Sequence, residues 1–311
     1  MRKKISIFGA GNVGASLAQL VVYNGTADLA LVDVLAGVAE GKALDLSQAR
    51  PLYGSDVKSQ AGDDPLIIAG SDLVVITAGI TRKPGMSRDQ LLETNAKIVA
   101  QCAAAVKKHT PAAFIIVVSN PLDAMTWVAA EVSGADKKKV MGMAGVLDSS
   151  RLVSLLADEL KASVKDIQAM VLGGHGDQMV PVISCATWQG RPIEKLMPRE
   201  RLEEIIARTR NAGAELVAKM NTSAFFSPAA GAFEMLKAVC NDEKRLLACS
   251  ARLDGEYGLK DIFIGVPVVL GAAGVEKIVE LALNAGEKAE LEKSAESVRN
   301  LIRGLKKLNL T

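Results

Sequence analysis

"KISIFGAGNVG", residues 4–14, decides the fold. An apolar run stops at Gly9, and Gly11 and Gly14 follow in the spacing G-x-G-x-x-G. The run reads as a buried strand, and "NVGASLAQLVVYNG", residues 12–25, as a helix closed by Gly25. In that strand–turn–helix setting each glycine has a physical task. Gly9 permits the tight turn, Gly11 lets a pyrophosphate approach the backbone, and Gly14 allows close packing of helix on strand. Ala10, Asn12 and Val13 complete the loop, and the helix start offers free N–H groups and a partial positive charge to phosphates. Asp33 ends a second strand, 28–34, nineteen residues after Gly14. A carboxylate there suits two ribose hydroxyls and repels a 2′-phosphate, so the expected cofactor is NAD rather than NADP.

Outward from this unit, strands and helices alternate. "DLVVITAG", 72–79, and "AFIIVVSNP", 113–121, are almost continuously apolar, as strands covered on both faces are. Helical patterns separate them: one from Gly37 that ends before Pro51, and one over 87–109. The expectation is an α/β fold, a Rossmann-type doubly wound parallel sheet. Ligands of such sheets lie outside the carboxyl ends of the strands. There the sequence places Thr77, Ala78 and Gly79, and Val118, Ser119 and Asn120. Ala78 and Gly79 leave room for a dinucleotide, Asn120 reaches the nicotinamide ribose or a substrate, and Asn95 faces the same region if its helix returns to the sheet. Near residue 145 the pattern changes. The expected division is a dinucleotide-binding domain, 1–145, and an α+β substrate domain, 146–311, with antiparallel strands between 245 and 279 and a last helix over 286–307.

The totals exclude several functions. Among 311 residues, 37 basic side chains meet 35 acidic ones, for a net charge of +2, so no basic field is available for nucleic acid. The four cysteines form no C-x-x-C pair and read as reduced thiols of a cytoplasmic protein. His109 and His175 are far apart with no cysteine pair beside either, so no metal site is expected. No run reaches the roughly 18–20 apolar residues of a membrane span.

"GGHGD", residues 173–177, sets His175 among glycines, as where a ligand or another backbone comes close. His109, in contrast, sits at a helix C-terminus, where a cation suits the dipole. A hydroxyl that becomes a carbonyl loses a proton as its hydride leaves, and imidazole suits that transfer near neutral pH. "GVLDSSR", 145–151, offers Asp148 to orient an imidazole and Arg151 to hold a carboxylate in a fork. "TRKPGMSR", 81–88, puts two more guanidinium groups, Arg82 and Arg88, in a Pro-Gly loop.

These motifs in this order (GAGNVG with Asp33, TRKPGMSR, VSNPLD, GVLDSSR, GGHGD) resemble the lactate/malate dehydrogenase family over essentially the whole chain. Within it the chain is most similar to the lactate-dehydrogenase-like malate dehydrogenases of bacteria. The resemblance implies hydride transfer between malate and NAD, with His175 as proton acceptor and donor and Asp148 as its partner. It implies that Arg151 binds the C1 carboxylate, Arg88 polarises the reacting carbonyl and Asn120 bonds to substrate, under a lid of about residues 80–93. Arg82 would meet the second carboxylate, where lactate carries only a methyl. The alternatives are an L-lactate or bulkier 2-hydroxy acid dehydrogenase and a non-enzymatic NAD-binding subunit. The family implies a homo-oligomer, a tetramer over a dimer, with helices near 15–22 and 156–161 as packing surfaces. The chain departs from the family pattern in "NTSAFFSPAAG", 221–231: Thr222 stands for a glycine, Phe225 and Phe226 for tyrosines and Ser227 for an alanine.

Overall fold

The computed structural model describes residues 2–81 and 85–308. Arg82, Lys83 and Pro84 lie outside them, so the expected role of Arg82 has no structural counterpart. The first half alternates β1 (Lys4–Phe8), α1 (Asn12–Tyr23), β2 (Asp28–Val32), α2 (Ala36–Tyr53), β3 (Ser59–Gly62), β4 (Leu73–Ile76), α3 (Arg88–His109), β5 (Phe114–Val117), α4 (Leu122–Ser133) and β6 (Val140–Gly142). All six strands are parallel, in the order β3-β2-β1-β4-β5-β6. Ile5, Ile7, Leu31, Leu73 and Ile116 are wholly buried, which their unbroken apolar context requires of a sheet covered on both faces. The chain winds outward from β1 in one direction through β2 and β3, then returns to its other side with β4. That reversal opens a crevice at the carboxyl ends of β1 and β4.

The second half contains α5 (Gly145–Leu160), β7 (Ile167–Leu172), β8 (Val180–Trp188), β9 (Arg191–Pro192), α6 (Arg199–Met220), α7 (Phe226–Cys240), β10 (Arg245–Asp254), β11 (Lys260–Gly271), β12 (Gly274–Ile278) and α8 (Ala285–Leu305). Strands β7, β8 and β9 form a separate antiparallel sheet. The other three antiparallel strands do not stand apart. They extend the parallel sheet to nine strands, β10 meeting β6 at Ser250 and Gly142. Gly142 makes that approach possible, since a Cβ there would lie 2.5 Å from the Thr126 hydroxyl and 2.9 Å from Ser250 Cβ. The two sheets are tied where Gly173 and Gly265 exchange backbone hydrogen bonds of 2.8 and 3.1 Å. The start of the "GGHGD" turn is thereby fastened to the large sheet.

One helix expectation needs correction. α2 does not end before Pro51 but runs on to Tyr53. A proline inside a helix leaves the carbonyl four residues back without its donor. Here the Arg50 Nε–H donates to that carbonyl, Ser47 O, at 3.2 Å, and the helix closes at Gly54 in the left-handed conformation. In the two helices expected to pack between subunits, part of the apolar surface is used within the chain, while Ala15, Leu20 and Leu160 stay half-buried. Leu17, Ala18, Val21 and Val22 of α1 and Leu156 and Ala157 of α5 are all buried.

Candidate active site

The glycine loop behaves as sterics demand. Gly9 adopts a φ of +99°, and a Cβ on it would crowd Thr77 and Ala78. A Cβ on Gly14 would collide with the Gly9 carbonyl, so α1 rests on the β1 turn with no space to spare. A Cβ on Gly11 would meet nothing within 4 Å: the space beside it is open. No side chain caps α1 and no acid sits in its first turn, so its N–H groups and dipole face that space unopposed. These residues fit a dinucleotide pyrophosphate. Asp33 Oδ2 accepts the Ala10 N–H at 2.6 Å and its Oδ1 accepts the Leu35 N–H at 3.0 Å. Its orientation at the end of β2 is set by backbone donors, with lone pairs left for ribose hydroxyls.

A cavity of about 410 Å³ opens beside the strand ends. Val13, Thr77, Gly79, Asn95, Val118, Ser119, Asn120, Arg151 and His175 line it. Several of these are engaged in tying the crevice together. The Thr77 hydroxyl donates to Phe8 O and Gly9 O, and the Ser119 hydroxyl to Ala78 O at 2.6 Å. Asn95 is buried; its Nδ2 donates to Ile80 O and Asn120 O, and its Oδ1 accepts the Ile80 N–H. Both of its donors are therefore committed to holding the loop after β4 against the end of β5, which leaves none for a cofactor. Arg88, the first residue of α3, is exposed and is not brought to the cavity wall. Its helix is fixed by a capping box between Ser87 and Gln90.

The opposite wall carries charge. Asp148, on the first turn of α5, is 1% exposed. Its Oδ2 lies 2.8 Å from His175 Nδ1 and its Oδ1 accepts from Arg151 Nη1 at 3.1 Å. Because a carboxylate only accepts, Nδ1 carries the proton and Nε2 is the nitrogen left for chemistry. Burial pulls the imidazole pKa down, but the charge and hydrogen bond of Asp148, with Asp123 adding to them, outweigh it and hold His175 above the usual histidine value. The buried Arg151 Nε–H finds no partner among the described residues. A buried guanidinium N–H without an acceptor is costly, and a ligand anion would satisfy it.

The sequence reading overlooked other lining residues: Met143, Leu147, Arg210, Ala214, Val217, Ser223 and Pro228. The α6 residues carry no motif; only the packing of that helix over the cavity brings them there. In the departing segment, Ala224 lines the cavity, but Phe225 and Phe226 pack on each other with ring centroids 4.2 Å apart and Phe226 is largely exposed. The change from tyrosine therefore falls beside the pocket.

Residues 3–142 match the lactate/malate dehydrogenase NAD binding domain, and residues 145–308 the lactate/malate dehydrogenase alpha/beta C-terminal domain. A malate dehydrogenase of Desulforudis audaxviator is 50% identical over 305 residues, 98% of this chain and 99% of that one. The crystal structure of Cryptosporidium parvum malate dehydrogenase is 42% identical, with a TM-score of 0.96 over 99% of this chain and 100% of that one. A lactate dehydrogenase from the same organism, complexed with lactic acid and NAD, is 39% identical, with the same TM-score of 0.96 over 99% of each chain.

Proposed function

The chain belongs to the lactate/malate dehydrogenase family, and we propose that it interconverts (S)-malate and oxaloacetate with NAD. The observation that carries the chemistry is the cavity wall on which Asp148 bridges His175 and Arg151, with one Arg151 N–H unpartnered. The glycine loop and Asp33 would hold NAD, which would supply the hydride acceptor when bound. Arg151 orients the substrate through its C1 carboxylate. His175 Nε2 accepts the C2 hydroxyl proton, and Asp148 stabilises the imidazolium that forms. In oxaloacetate reduction His175 starts protonated. Its pKa is raised, so that activity is full at low pH and is lost as pH climbs through a value above the ordinary 6.5.

Fold shape does not choose between lactate and malate, since a dehydrogenase of each kind superposes with a TM-score of 0.96. Arg82 supports malate: a guanidinium answers a second carboxylate and would be left unpaired against a methyl. Arg88 and Asn120 are assigned to the reacting carbonyl and the substrate, Arg88 by a loop movement that brings it in from solvent. The decisive test is the ratio of kcat/KM for oxaloacetate to that for pyruvate, in the native chain and in Arg82→Gln. Oxaloacetate should be strongly preferred, and the ratio should fall about 10- to 150-fold in the variant, the 1.5–3 kcal/mol of a charged hydrogen bond. A native preference for pyruvate would sink the malate reading.

We place the enzyme in the cytoplasm, at the malate–oxaloacetate step of the tricarboxylic acid cycle, as a homotetramer rather than a dimer. Among the described residues no helix is long and apolar enough to cross a membrane. Support for assembly comes from apolar side chains left on the surface: Tyr23 on α1, Leu44 and Leu52 on α2, and Val217, Met220 and Phe226 around α6 and α7. Sedimentation equilibrium reads the assembly directly.

A further inference from the structure

The proposed proton transfer uses one carboxylate beside His175, but the fold buries two. Asp123 lies on the first turn of α4 and is 4% exposed. Its Oδ2 accepts the backbone N–H of His175 at 2.8 Å, and its Oδ1 accepts the Ser250 hydroxyl, from β10, at 2.7 Å. The neighbouring Gly174 N–H donates to Ser294 Oγ, on α8, at 2.8 Å. Two successive amides of the turn are thus held by two helices. Gly174 has no room for a side chain, because a Cβ would come within 2.8 Å of Val298 and 3.4 Å of Asp123 Oδ2. Among the described residues no lysine or arginine forms an ion pair with Asp123. A buried carboxylate without a cation is expensive, and leucine or valine would fill an apolar helix start at lower cost. The two hydrogen bonds that Asp123 accepts offset part of that cost, and one of them ties it to the main chain of His175.

We propose that Asp123 is a positioning residue for His175: it locks the backbone of the turn so that the imidazole stays on Asp148, and its charge favours the imidazolium. This inference rests on the reading of His175 as the proton carrier. The arrangement is a sandwich. Asp148 holds the ring at Nδ1 and Asp123 holds the main chain from behind, so the ring cannot swing away without breaking a buried bond. Burial pushes the Asp123 carboxyl above the usual carboxylate range, while the Ser250 and His175 donors and the imidazole charge pull it back. The Asp123 carboxylate and the His175 imidazolium therefore favour one another. The charged groups around them are Asp148 and Arg151 of α5, Asp177 of the turn itself and Arg210 of α6.

Asp123→Asn tests this, because an amide oxygen still accepts the His175 N–H while the charge is gone. The chain has only two histidines, so a labelled His109→Gln background leaves the His175 ring as the sole imidazole signal. In that background Asp123→Asn should lower the NMR titration midpoint of His175 by about one unit, and the falling limb of oxaloacetate reduction should move down in pH by the same amount. Asp123→Leu removes the acceptor as well; it should lower kcat further and leave NADH binding in place. An unmoved midpoint and an unmoved pH limb in Asp123→Asn would overturn the proposal, whatever Asp123→Leu does to folding. His175→Asn separates the two readings. If it is inactive while Asp123→Asn titrates like the parent, only the role of Asp123 falls; if His175→Asn is fully active, the proton-carrier reading falls first.

Discussion

The two walls of the crevice are built from different materials. The cofactor wall is backbone: three glycines, the open N-terminus of α1 and a carboxylate aimed by main-chain amides. The opposite wall is buried charge: Asp148, Asp123, His175 and Arg151, contributed by α5, α4 and the turn between β7 and β8. The first wall depends on what is absent, namely side-chain atoms. The second depends on groups whose burial is unfavourable unless each is paired. Substitutions should therefore act through space on one wall and through protonation on the other.

The largest effect should come from the charged wall. His175→Asn keeps a polar side chain of similar size but removes the proton carrier, and kcat should drop about 10²–10⁴-fold. NADH binding, read by fluorescence quenching, should stay near the native value, because the backbone wall is untouched. A parallel loss of both would erase the distinction between the walls. Next, Gly14→Ala attacks the backbone wall by volume alone. The added methyl meets the Gly9 carbonyl, so a loss of about 1–3 kcal/mol in stability is expected in urea, together with weaker NADH binding. Unchanged stability and affinity would mean that α1 moves freely on β1. The smallest effect is expected for Asp33→Asn. It keeps an acceptor for the Ala10 amide and removes only the charge, so NADH affinity should fall by about 0.5–1.5 kcal/mol. NADPH should lose less or gain, since the repulsion of the 2′-phosphate is gone.

The same contrast explains what could be read along the chain. Glycine spacing is local, and a loop that serves through missing atoms declares itself in eleven consecutive letters, residues 4–14. Asp148 and Arg151 are legible because residues three apart on a helix share a face. Asp123 was not singled out, although a lone acid in "LDAMTWVAA" is out of place in an apolar helix. Nothing local says that it faces the main chain of a residue 52 positions away. Asn95 lines the cavity its neighbourhood implies, and its hydrogen bonds there to Ile80 and Asn120 are not visible in the letters. The lining contributed by α6 had no signal at all.

From its letters alone this chain specifies a doubly wound sheet and a nucleotide loop, because each rests on periodicity or on spacing within one turn. The long-range joins came from folding: β10 to β12 continuing the parallel sheet past β6, the "GGHGD" turn fastened at Gly265, and the second carboxylate behind His175. Those joins depend on which surfaces exclude water from one another, and that is a property of the packed whole rather than of any segment.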